Sequence, residues 1–147
     1  MLLGMLWMGG AAATQSSSEH LRVTAIAESD SGGGLEPAER VASGDELIYT
    51  LEVRNIGATT IVAPVVVNPV PAHLVYVADS AVGPGAEISF SVDGGRTFDK
   101  AENLRVPGAN GAMRAAVAAD YTHIRWQLSG NLKANSIAFV RFRATVK

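Results

Sequence analysis

Between Gly44 and Val77 the sequence sets strand patterns and turn residues close together, and this run restricts the chain more than any other. Leu47, Tyr49, Leu51 and Val53 fall on one face and Ile48, Thr50, Glu52 and Arg54 on the other, the period of two expected of a half-buried strand. Asn55-Ile56-Gly57 ends it, and because Asn tolerates and Gly freely adopts left-handed backbone, the triplet predicts a reversal. Thr60 to Asn68 is a nearly continuous β-branched run interrupted by Pro64, which lacks an amide donor and is expected at an edge or bulge. Pro69 and Pro71 force an extended crossing before a strand resumes at Leu74 to Val77.

The same period recurs on both sides. Leu21, Val23, Ala25 and Ala27 alternate with Arg22, Thr24, Ile26 and Glu28 in a first strand. The Ser29 to Gly34 run after it is rich in small residues and reads as a linker that tethers this strand loosely. Ala86 to Phe98 predicts a hairpin, with Ile88, Phe90 and Val92 facing one way and Asp93-Gly94-Gly95-Arg96 at its tip. Asp99 to Asp120 reads as an irregular surface excursion with a helical turn near Ala115 to Ala119. Ile124, Trp126 and Leu128 mark another strand, and in the last one Ala138, Val140, Phe142, Ala144 and Val146 point inward. About seven short strands without a strong amphipathic helix between them predict an all-β, Ig-like antiparallel sandwich. A length of 147 residues suits a single domain, and the 15 glycines fit many turns.

Composition removes several chemistries. The chain has no cysteine, so disulfides, thiolate nucleophiles and cysteine-ligated metals are excluded. A net charge of −2 offers no bulk attraction for nucleic acid or anionic membrane. Leu2, Leu3, Met5, Leu6, Trp7 and Met8, followed by Ala11 and Ala13, resemble a short signal-peptide core with its cleavage signal, although without a basic flank. The expected organisation is therefore a signal peptide over residues 1–13, a strand and linker over 14–34, and a sandwich body over 35–147, with an exported location and no membrane span in the mature chain.

Gly44-Asp45-Glu46-Leu47-Ile48-Tyr49-Thr50-Leu51-Glu52-Val53-Arg54-Asn55-Ile56-Gly57 resembles the opening of the conserved-repeat family called domain of unknown function eleven, with its Gly-Asp turn, Tyr-Thr strand and Asn-x-Gly. The likeness continues through Asn68-Pro69-Val70-Pro71-Ala72-His73-Leu74 and Ala144-Thr145-Val146. It implies an Ig-like module of bacterial or archaeal surface proteins. A second, local resemblance is of Ser91-Val92-Asp93-Gly94-Gly95-Arg96-Thr97-Phe98 to the Asp-box. It implies a hairpin whose turn includes Thr97, in which Asp93 binds turn amides, Gly95 supplies positive φ and Phe98 seals the hairpin. It implies no glycosidase activity.

Candidate chemistry is sparse. His20, His73 and His123 lack the mutual spacing of metal ligands, and Asp93 with Gly94 and Gly95 lacks the oxygen donors a calcium loop needs. Glu28, Asp30, Glu36 and Glu39, flanked by Arg22 and Arg40, read as a solvated acidic segment. Arg125, Arg141 and Arg143 would form a basic interaction face if their strands pair, or else belong to an ordinary solvated sheet face. No catalytic, cofactor or metal site is expected, so the chain reads as a non-enzyme. Two roles stand open. One is a filament or surface subunit that assembles with itself by β-strand addition through Leu21, Val23, Ala25 and Ala27. The other is a secreted or periplasmic module that binds an envelope protein or glycan.

Overall fold

The structure, a computed structural model, describes residues 19–30, 35–38 and 40–147. The apolar start at Met1 to Ala13, the Ser31 to Gly34 segment and Glu39 lie outside the described residues. The strands are β1 (Leu21–Asp30), β2 (Leu35–Pro37), β3 (Glu46–Asn55), β4 (Val65–Pro69), β5 (Leu74–Tyr76), β6 (Ala86–Ser91), β7 (Arg105–Pro107), β8 (Met113–Ala115), β9 (His123–Leu128) and β10 (Ile137–Val146). They form an all-β antiparallel sandwich: a five-stranded sheet in the order β2-β1-β3-β10-β5 faces a three-stranded sheet in the order β4-β9-β6. A separate β7-β8 hairpin lies in the excursion between β6 and β9.

Alternation places the core. On β3 the burial pattern alternates strictly, and Leu47, Leu51 and Val53 are almost wholly enclosed. Tyr49 stands opposite Phe142 of β10 in register, and their rings stack at 4.9 Å. Burial raises the Tyr49 phenol pKa above its ordinary value. Between the sheets, Trp126 of β9 meets Phe142 of β10 at 6.1 Å, and Tyr76 of β5 meets Phe90 of β6 at 5.2 Å. Thus β10 lies over β9 and β5 over β6, which sets β3 over β4 in an aligned packing. The larger sheet then overhangs the smaller one by β1 and β2. Burial follows that geometry, since Val23, Ala25 and Ala27 on the inner face of β1 are only half-buried.

Several local expectations are corrected. The first strand is not loosely tethered: β1 pairs in cis with β3 over nine residue pairs, from Leu21↔Asn55 to Ser29↔Leu47. The strands on either side of Ser31 to Gly34 also pair, Asp30 opposite Leu35. The excursion is more ordered than its composition suggests, with short 3₁₀ turns at Ala101–Asn103 and Ala118–Asp120 around the β7-β8 hairpin. Within Thr60 to Asn68 only Val65 onward is strand, and Pro64 sits buried just before it, at the edge of the sheet where a proline was expected. Gly57 is not in a left-handed conformation. A side chain there would meet the His20 ring at 2.8 Å, so glycine serves close approach.

Asn55 holds the end of β3. Its side-chain amide donates to the Thr59 carbonyl at 2.7 Å and the Leu132 carbonyl at 2.9 Å, while its Oδ1 accepts from the Gly57 N–H at 2.9 Å. The neighbouring loops are then joined by reciprocal bonds between Ile61 and Leu132. A fully buried amide with all these partners satisfies backbone groups that the loops would otherwise leave unpaired.

Candidate functional site

Alternate residues of an antiparallel strand turn their N–H and C=O toward the same neighbour. On β1 the Ile56 N–H donates to the His20 carbonyl, so even-numbered residues bond toward β3. The Ala38 N–H donates to the Ala27 carbonyl, so odd-numbered residues turn outward. The short β2 pairs only with Glu28, Ser29 and Asp30. Among the described residues, none pairs with the outward backbone groups of Val23 and Ala25. This edge runs through Arg22 to Ile26 without proline, and the inward side chains on it are uncharged.

The other outer strands are finished differently. On β6 the Phe90 N–H and carbonyl are both engaged by Asp99 and the Ala86 N–H bonds Gly83, which leaves Ile88 as a single outward residue between two engaged ones. On β5 the Leu74 N–H bonds Pro71, the Tyr76 hydroxyl accepts from the Ala81 N–H, and the Ala118–Asp120 turn lies alongside with Tyr121 at 5.8 Å from Tyr76. On β4 the bonds from Leu128 to Pro64 and from Val70 to Thr122 turn Val65, Val67 and Pro69 outward. Pro69 has no donor, its carbonyl accepts from the Asn68 amide at 2.8 Å, and Pro64 and Pro69 confine any added strand to the three residues between Val65 and Val67. Such devices are how sheets avoid edge-to-edge association, and among the described residues none is seen beside Val23 and Ala25.

The three arginines do not form one face. Arg125 is on β9 in the smaller sheet, whereas Arg141 and Arg143 are on β10 in the larger one, and β9 and β10 do not pair. Their strands alternate correctly but belong to opposite sides of the sandwich. Arg125 donates to Ser89 Oγ at 2.9 Å and lies over the Phe98 ring at 4.8 Å. Arg141 donates to Thr50 Oγ1 at 3.1 Å, and Arg143 forms an ion pair with Glu46 at 2.8 Å. Of the acidic segment, Glu28 and Asp30 are residues of β1 and Glu36 of β2.

The Asp93 turn assembles around one carboxylate. Asp93 Oδ1 accepts from Ser91 Oγ at 2.7 Å and from the N–H groups of Thr97 at 3.0 Å and Arg96 at 3.2 Å, and Oδ2 accepts from Thr97 Oγ1 at 2.7 Å. The Thr97 side chain first, then the Thr97 amide and Ser91, hold the Asp93 carboxyl far below the usual carboxylate range. Gly94 and Gly95 both have positive φ, 78° and 84°, and a side chain on Gly95 would press on the His123 ring at 3.3 Å. Burial lowers the His123 pKa, against a smaller opposing pull from Asp93. Phe98 lies beneath Arg125 rather than inside the core.

The histidines stay apart: His20 packs on Gly57, the His73 carbonyl accepts from the Lys147 N–H, and His123 packs on Gly95. Among the described residues no three His, Asp or Glu side chains are grouped to hold a metal ion, and no helix is long and apolar enough to cross a membrane. Sequence reasoning singled out Leu21, Val23, Ala25 and Ala27 as a strand to donate and missed that Val23 and Ala25 on it keep outward backbone groups without a partner among the described residues. The signal available was the absence of proline and of inward charge along it. No known family model, curated protein or solved structure matches this chain.

Proposed function

We propose that this chain is an exported, non-enzymatic structural and interaction module that associates by β-strand addition at the outer edge of β1. The observation that carries the reading is the contrast between Val23 and Ala25, whose outward backbone groups have no partner among the described residues, and the blunted edges of β4, β5 and β6. An added strand would find main-chain partners there and an apolar overhang, Val23, Ala25 and Ala27, to cover. Export rests on the signal-like pattern of Met1 to Ala13 and on the resemblance of Gly44 to Gly57 to surface modules. The most perturbed carboxylate, Asp93, is taken up in its own turn, which favours a structural role for it over a chemical one. A filament built by donating β1 would require all nine pairs with β3 to be surrendered, so the cis register favours acceptance of a strand at β1 over donation of β1.

Sedimentation over rising concentration, with hydrogen exchange read at Val23 and Ala25, tests this. The wild-type protein is expected to associate and to gain protection at both amides, while Val23→Lys, which points a charge inward at the edge, stays monomeric with the circular dichroism of a folded sandwich. A wild-type protein that remains monomeric, with both amides exchanging freely at the highest concentration, removes the reading.

A further inference from the structure

We propose that the outer face of the larger sheet is a further interaction surface, which docks a protein segment carrying one carboxylate between apolar side chains. Strand register places its parts. Phe139 and Arg141 of β10 alternate with the buried Val140 and Phe142, so both point away from the core. Arg141 pairs with Thr50 of β3, Thr50 pairs with Ile26 of β1, and an isolated bridge sets Val82 beside Arg141 on its other side. Residues directly opposite each other in antiparallel strands share a face. Val82, Arg141, Thr50 and Ile26 therefore form one row across the sheet, about 14 Å long at the usual strand spacing. Phe139 stands in the next row, beside Glu52.

The solvated face of an antiparallel sheet is ordinarily polar. Here Ile26 is 51%, Val82 53% and Phe139 54% exposed. Large apolar side chains gathered on a hydrogen-bonded sheet mark an interaction site, whereas single ones scattered over loops need no explanation.

Charge selects the partner. On the same face Arg54 is ion-paired with Glu52 and Arg143 with Glu46. Arg141 has no such carboxylate among the described residues. Its Nε donates to Thr50 Oγ1 at 3.1 Å, which fixes the guanidinium and leaves its two terminal nitrogens for the two parallel bonds that a carboxylate accepts. One unneutralised cation within an apolar patch fits one carboxylate flanked by apolar side chains. An anionic membrane would call for several unpaired cations. A glycan would need polar partners for its hydroxyls, which Val82, Phe139 and Ile26 do not supply. Arginine and phenylalanine are, in addition, enriched where proteins meet proteins.

The test titrates the full-length protein with the blocked peptide acetyl-Leu-Ser-Glu-Ser-Leu-amide, which when extended presents Leu, Glu and Leu on one side. Backbone amide resonances are followed by NMR. Shifts are expected at Phe139, Arg141 and Thr50, and the same peptide with Gln in place of Glu is expected to bind about 10-fold more weakly, the usual worth of a charge-assisted bond. In Arg141→Gln the two peptides should bind equally, a cycle that a merely structural role for Arg141 would not produce. Phe139→Ser should weaken both peptides alike, because it removes apolar contact and no charge. The amide spectrum of each variant verifies that it has folded.

Absence of shifts at Phe139, Arg141 and Thr50 overturns the proposal, as does equal binding of the two peptides to the wild-type protein. A preference for Glu that survives in Arg141→Gln moves the carboxylate to another cation and overturns the site. Shifts of the same amides on raising the protein concentration without peptide give the face to a second copy and overturn the acidic partner. Strand addition is read at Val23 and Ala25 and this face at Phe139 and Arg141, so each reading can fail without the other.

Discussion

On the flank where β5 lies over β6, Asp99 engages both backbone groups of Phe90, Pro71 and Gly83 engage the Leu74 and Ala86 N–H groups, the Ala118–Asp120 turn lies along β5, and three aromatic rings, Tyr76, Phe90 and Tyr121, pack together. On the opposite flank β1 overhangs the smaller sheet, its inner face is half-buried, and Val23 and Ala25 offer their backbone outward. The two flanks share one fold and one alternation. They differ in whether the second sheet reaches far enough to cover the first. A five-on-three arrangement cannot cover both sides, and the side left short among the described residues is where strand addition is proposed.

The sharpest way to test the comparison is to truncate one side chain in the covered core and one on the overhang. Trp126 is wholly enclosed and packed on Phe142, so Trp126→Ala is expected to cost about 3–5 kcal/mol and to unfold a marginal domain. Val23→Ala in the monomer is expected to cost about 1 kcal/mol or less, because the half-buried site can take up water. Chemical denaturation of both variants measures the gap. Equal losses would mean that the overhang is as tightly packed as the core and that the comparison is mistaken.

Asn55→Ala comes next, expected at about 2–3 kcal/mol, since it strips partners from the Thr59 and Leu132 carbonyls in a buried position. The loss should appear as faster exchange at Ile61 and Leu132, whose mutual bonds join the two loops, while β6 and its Asp99 bridge are left protected. Uniform loosening of the whole sandwich would instead make Asn55 part of the core rather than a local fastening.

How much of this was legible in the sequence depends on what alternation encodes. The period of two in β3, β9 and β10 identified the strands and their inward residues, down to Trp126, Tyr49 and Phe142. It carries no information about which strands pair, so Arg125 and Arg143 looked as though they could share a face and do not. Of the three-residue strands, β5 was marked by Pro69 and Pro71 before it, whereas β2, β7 and β8 are too short to show a period and are held by the strand beside them. Gly57 had the composition of a turn glycine, but the constraint on it comes from His20, which is far away in sequence. The Asp93 turn was readable because its partners all lie within four residues of it. The candidate edge was half-readable: β1 was visible as a strand, but its unpaired side exists only because β2 stops beside Glu28.

Pro69→Thr tests the guarded edge of β4 directly. It restores an outward N–H beside Val67 and is expected to change stability by less than about 1 kcal/mol. With two edges able to accept strands, association should pass beyond a dimer into open-ended species, seen as sedimentation that keeps rising with concentration. Unchanged sedimentation would mean that proline is not what blunts β4.

The smallest expected effect separates the flanks by pH. Hydrogen bonds from Thr97 and Ser91 depress the folded pKa of Asp93, so the carboxylate contributes stability above the unfolded value of about 3.9 and loses it as pH falls below that toward the folded value. Burial depresses the folded pKa of His123, so its contribution is likewise complete above the unfolded value of about 6.5 and is lost as pH falls through the folded one. Acid should therefore loosen the β6–β9 flank in two steps, one below about pH 6.5 and one below about pH 4. Exchange at the Phe90 and Asp99 amides reads that flank, while the Ala38 amide, bonded to β1, reads the other. Val23, Ala25 and Ala27 carry nothing that titrates, so the Ala38 amide should not follow the upper step. In Asp93→Asn the step below about pH 4 should vanish from Phe90 and Asp99. If all three amides instead opened together at each pH, the two flanks would be a single cooperative unit, and the difference between them one of geometry alone.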